Sequence, residues 1–145
     1  MIRSILLVGI AAFGCLAAAG DVSLAQGATA AETRTVEIRS YNLKPGMHER
    51  FRRLFLEEAF PMLTRAGIDV IAFGPSLHDE GSWFLMRSFP SIRDRQISED
   101  AFYASREWQE GPRAAVLDCI ESYTTVVVEL DSMAIEKLRG IAGSD

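Results

Sequence analysis

The segment Val36-Glu37-Ile38-Arg39-Ser40-Tyr41 alternates apolar and polar side chains, so an extended backbone sets Glu37, Arg39 and Tyr41 in a row on one face. A later extended run carries Trp83 and Arg87, again an aromatic ring and a cation. Glu37, Arg39, Tyr41, Trp83 and Arg87 are the candidate lining of a ligand pocket on the inner sheet face, with Asp69 and Glu129 as further polar members. Two kinds of chemistry fit. A guanidinium pair such as Arg39 and Arg87 can clamp a carboxylate or a phosphate. The same residues can instead form an ion-pair network between Glu37, Arg39, Arg87 and Glu129 that holds strand register, because an isolated buried charge costs several kcal/mol.

The other reactive side chains are scattered. Tyr41, Arg39 or His48 could move a proton if a substrate sat beside them, but no catalytic motif surrounds them. His48 falls in the first turn of a helix and His78 in a loop, both expected to be solvated. Neither HExxH nor CxxC occurs, and no glycine-rich loop follows a strand as phosphate-binding motifs require, so neither a metal nor a cofactor is expected. Cys119 is expected as a small buried hydrophobe on a helix, and Tyr103 and Trp108 as packing residues.

The chain of 145 residues has room for one domain, and its apolar (48%) and charged (24%) fractions are those of a folded protein. The formal charge of −5 argues against nucleic acid, which selects a basic face. Residues 1–25 have the three zones of an export leader: Arg3, an apolar run from Ile5 to Ala19, and the small-x-small site Ser23-Leu24-Ala25. Cleavage after Ala25, with Ala28-Thr29-Ala30 as a second site, would leave residues 26–33 as a flexible terminus of an exported protein, periplasmic or secreted. The apolar run falls short of the ~20 residues of a spanning helix, so no stable membrane span is expected once the leader is removed. Cys119 is then the only cysteine, which excludes an internal disulfide.

Strands are expected near 34–41, 68–74, 82–89 and 123–130, and helices near 46–66 and 91–121. Lys44-Pro45-Gly46 is a turn, Gly67 a helix C-terminal cap, Pro61 a bend or restart in the first helix, and Gly111-Pro112 a break in the second. A domain over 34–130 is followed by a tail, 131–145, with a short peripheral helix. The order β-α-β-β-α-β is the ferredoxin-like α+β arrangement, a four-stranded antiparallel sheet with helices on one face. Strands two and three are apolar at both parities, so both sheet faces want burial. A homodimer closing two sheets into one α/β barrel would meet that need, with Trp83, Leu85, Phe73 and Val127 as its expected lining.

Glu37-Ile38-Arg39-Ser40-Tyr41, then Leu43-Lys44-Pro45-Gly46 and an amphipathic helix, resembles the opening of NIPSNAP domains. Trp83-Phe84-Leu85 and Phe102-Tyr103-Ala104-Ser105-Arg106-Glu107-Trp108 resemble later segments of that family, and the likeness spans 34–130. Small cofactor-free monooxygenases and stress-responsive barrel proteins share the fold. The resemblance implies a dimeric α/β barrel and carries no agreed reaction. It favours a small-molecule-binding or interaction module, with a cofactor-independent monooxygenase-like or lyase-like enzyme for apolar or aromatic substrates as the alternative.

Overall fold

A computed structural model describes residues 32–139. The leader, its cleavage site and the stretch 26–31 lie outside the described residues. Strand β1 (Thr33–Leu43) starts at Thr33, the last residue of what was expected as a flexible terminus, because Thr33 pairs with Asp131 at the far end of the sheet. It leads into the Lys44-Pro45-Gly46 turn, where Gly46 takes a φ of +76° and Met47 N–H donates to Lys44 O at 3.0 Å.

The first helical stretch is α1 (His48–Leu54), a π-helical turn (Phe55–Ala59) and α2 (Phe60–Arg65). Pro61 explains the wide turn. Its ring collides with the carbonyl four residues back and it has no N–H to donate, so the chain inserts one residue and Phe60 N–H bonds to Phe55 O, five residues back. The stretch ends as expected at Gly67, φ +72°, where Ile68 N–H donates to Leu63 O and Gly67 N–H to Thr64 O, both at 3.0 Å.

Strands β2 (Asp69–Pro75) and β3 (Ser82–Phe89) form the expected hairpin. In its loop Asp79 accepts from Gly81 N–H at 2.9 Å and from the Ser82 hydroxyl at 3.0 Å. The second crossover is α3 (Ile92–Ala104), α4 (Arg106–Glu110) and α5 (Arg113–Cys119), with Ser91 and Ser105 capping the first two and the expected break at Gly111-Pro112. Strand β4 (Ile120–Asp131) runs directly into α6 (Ser132–Leu138), whose first turn is capped by Asp131 at 2.8 Å from Ala134 N. No described helix is long and apolar enough to cross a membrane.

The four strands form one antiparallel sheet in the order β2-β3-β1-β4. The fold is the expected α+β, ferredoxin-like one. Directly paired residues share a face. Glu37, Arg87 and Val127 therefore lie on one side with Tyr41, Trp83 and Tyr123, while Ile38, Met86 and Val126 lie on the other.

This register overturns one expectation. Trp83, Leu85 and Phe73 are not the lining of an intersubunit barrel: they pack against the α1–α5 segment, in a core with Phe51, Phe55, Phe102 and Trp108. Val127 shares that face but stays partly exposed. The parity of β2 misleads because a bulge between Val70 and Ala72 puts Ile71 beside Ala72 rather than with Phe73. The opposite face carries a second cluster of Val36, Ile71 and Ala72 closed at one end by α6, whose Ile135 is 1% exposed, so α6 belongs to the core rather than to a peripheral tail.

Candidate functional site

Glu37, Arg39, Tyr41, Trp83 and Arg87 do converge on one sheet face, but on the one roofed by helices. Glu37 and Arg87 stand opposite one another on the two central strands, both 0% exposed. Their remaining partners come from α3, where Arg95, Glu99 and Tyr103 recur every fourth residue and so form one stripe directed at the sheet.

Arg87 binds both Glu37 Oε1 and Glu99 Oε1 through one nitrogen, Nη2. Arg39 Nη2 reaches the same two oxygens at 3.0 and 3.1 Å. Arg95 closes the other side, with Nε 2.6 Å from Glu37 Oε2 and Nη2 2.8 Å from Glu99 Oε2. Arg39 Nη1 also donates to the Tyr103 hydroxyl at 2.8 Å, and Arg87 Nη1 does so at 3.5 Å. Glu129 takes no part in this network and Asp69 pairs with Ser88 on the other face, bound to Arg139 at 2.9 Å.

The electrostatics follow from burial set against charge. Burial alone would raise the Glu37 carboxyl, but Arg87, Arg39 and Arg95 together hold it below the usual carboxylate range. For Glu99 burial prevails, helped by the nearby Glu37, and its carboxyl is raised despite Arg87. Burial and the neighbouring Tyr103 push the Tyr41 phenol up to about 12. Burial would lower Arg39, yet Tyr103, Tyr41 and the two glutamates keep it more firmly protonated than an ordinary arginine.

Arg39 has a second role. It forms the boundary between the ion network and a cleft of about 340 Å³ bounded by β1 and β4 on one side and α3–α5 on the other. Its guanidinium carbon is 5.9 Å from the Tyr103 ring centroid and 5.3 Å from that of Tyr123. Trp108, Tyr41 and Arg113 complete the polar and aromatic part of the wall. A smaller void of about 40 Å³ shares Tyr41, Tyr103, Trp108 and Val116 with the cleft and is otherwise lined by core residues such as Phe51, Phe55 and Phe102. Arg87 is committed to the two glutamates, so of the two arginines expected as a clamp only Arg39 lines the cleft, where Arg113 is the second arginine.

Tyr103 and Trp108 are packing residues as expected, and both also line the cleft. The spacing of Arg95, Glu99 and Tyr103 was the signal that could have joined α3 to the site. His48 is not solvated as expected: it is half-buried with its ring 5.9 Å from that of Trp83 and outside the cleft lining. His78 is exposed. Cys119 is fully buried, donates to Ala115 O at 3.3 Å, and has its thiol pushed up by burial.

No family model and no curated protein matches the sequence. Solved structures do. A NIPSNAP family protein from Agrobacterium tumefaciens is 17% identical with a TM-score of 0.64, covering 70% of this chain and 90% of that one. A NIPSNAP-like domain protein from Burkholderia xenovorans is 19% identical with a TM-score of 0.63, covering 70% and 87%. A protein from Bacteroides thetaiotaomicron named for antibiotic biosynthesis monooxygenases is 10% identical with a TM-score of 0.53, covering 66% and 87%. At these identities the likeness is one of fold. The chain has the NIPSNAP-like fold, a four-stranded antiparallel sheet with the α1–α5 segment over one face.

Proposed function

We propose that this is an exported, homodimeric binding module that takes up a small molecule in the cleft between β1, β4 and the α3–α5 segment. The observation that carries the reading is the placing of Arg39, a cation fixed by two glutamates and Tyr103, stacked on aromatic rings, in the wall of a cleft of ligand size. A side chain held on several sides presents its free edge without paying further ordering entropy. Export is supported by the leader pattern in residues 1–25. Dimerisation is supported by the sheet face that α6 leaves partly open, where Val126 is 50% exposed beside half-buried Ile38 and Met86.

The test is non-denaturing mass spectrometry of protein recovered from an exporting host. The expected species is a dimer of chains beginning at Gln26, carrying one small molecule per chain that is lost in a Val116→Trp variant with a filled cleft. A dimer of bare mass, or an occupancy unaffected by Val116→Trp, would overturn the reading.

A second reading, a cofactor-independent oxygenase-like or lyase-like enzyme, draws support from the fold likeness to the Bacteroides protein and from the Tyr103 phenol, which sits in the cleft wall with Arg39 donating to its oxygen. Chemical change of the occupant on incubation with the protein, lost in Tyr103→Phe, would favour it.

A further inference from the structure

We propose that the cleft selects an anionic amphiphile, a carboxylate on an aromatic or aliphatic body. This rests on the cleft being the binding site. The inference begins with a charge count. Three arginines, Arg39, Arg87 and Arg95, share two carboxylates, so with both ionised the cluster carries one surplus positive charge. The acceptors are used up. Each Oε1 takes Arg87 and Arg39, and each Oε2 takes Arg95.

Arg39 is the arginine of the cluster that lines the cleft, and its buried Nε, like that of Arg87, has no hydrogen-bond partner among the described residues. A buried donor left unmatched is costly, and a ligand acceptor or an ordered water would satisfy it. The Tyr103 oxygen already accepts from Arg39 and Arg87, which leaves its O–H as a donor. The rest of the wall has the same polarity. Ten residues line the cleft; two are arginines and none is Asp or Glu, although the whole chain has a net charge of −5. Donors without competing carboxylates fit an anion.

The body of the ligand follows from the remaining surface. Val116, Leu117, Ile120 and Trp108 offer an apolar wall, and the adjoining void runs between Phe51, Phe55 and Phe102. The apolar share of this lining fits a ligand with an apolar body better than it fits a free phosphate.

Isothermal titration of the mature protein with 2-naphthoate and with neutral 2-naphthalenemethanol tests this. The expected result is naphthoate binding about tenfold or more tighter than the alcohol, the worth of one charge-assisted hydrogen bond. Arg113→Gln, at an exposed position outside the buried network, should reduce the preference for naphthoate over the alcohol. Arg39→Gln should abolish the preference if circular dichroism shows it folded; if it does not fold, Arg113→Gln decides alone. Equal binding of the two compounds by the parent, or an unchanged preference in Arg113→Gln and in any folded Arg39→Gln protein, overturns the anion selection and leaves the cleft standing. Binding of neither compound overturns both. Inorganic phosphate displacing naphthoate as well as octanoate does would remove the apolar body from the proposal.

Discussion

Arg87 is the side chain on which the interior depends most. It is fully buried and binds two glutamates. Removing one partner of a buried ion cluster leaves the others uncompensated, so Arg87→Met should cost about 3–5 kcal/mol in urea unfolding. A loss below about 1 kcal/mol would show that the glutamates find other partners. Glu37 gives a pH test with a definite sign. Its folded-state carboxyl is held below its ordinary value by the arginines, so its stabilising contribution is present above the unfolded-state value, about 4.3, and is lost as pH falls through the folded one. The destabilisation caused by Glu37→Gln should therefore be large at pH 7 and shrink below about pH 4. A penalty that grows with acidity would contradict the assignment.

At the level of elements, two glycines separate two physical causes. Gly67 has a φ of +72° and open space around its Cα, so Gly67→Ala meets only backbone strain, about 1–2 kcal/mol. Gly67→Asn should recover part of it, since asparagine tolerates that conformation. Gly111 has a negative φ, but a Cβ there would run into the Glu107 carbonyl, so Gly111→Ala should cost about 1–3 kcal/mol by crowding, with no recovery on going to Asn. Denaturant midpoints of the four variants check the contrast. These punctuating residues are also why the elements were legible: Lys44-Pro45-Gly46, Gly67 and Gly111-Pro112 mark ends that local chemistry determines. The assignment of faces was not legible. Apolar residues at both parities of β2 and β3 give no preference, and the bulge at Ile71 shifts parity midway along β2. The ion network was half visible, since its β1 and β3 members alternate plainly while its α3 members reveal themselves only once the helix is laid on the sheet.

For the whole molecule, the assignment of faces decides which substitution tests assembly. Trp83 and Leu85 are interior to one chain, so charging either should unfold the subunit rather than separate two. Val126 lies on the open face, and Val126→Asp should leave a folded monomer in sedimentation equilibrium at micromolar concentration while the parent sediments as a dimer. A dimeric Val126→Asp protein would remove this face from the interface.

The claim that the cleft is the binding site is tested most directly by amide chemical-shift mapping of the mature protein titrated with 2-naphthalenemethanol, a neutral probe that does not presuppose a charged ligand. The predicted result is saturable shifts concentrated at Tyr103, Trp108, Gln109, Arg113 and Val116, with Tyr41 and Tyr123 on the facing strands. Shifts gathered instead around Met62, Ile97 and Ala101, in the groove between α2 and α3, or no saturable shifts at all, would contradict it.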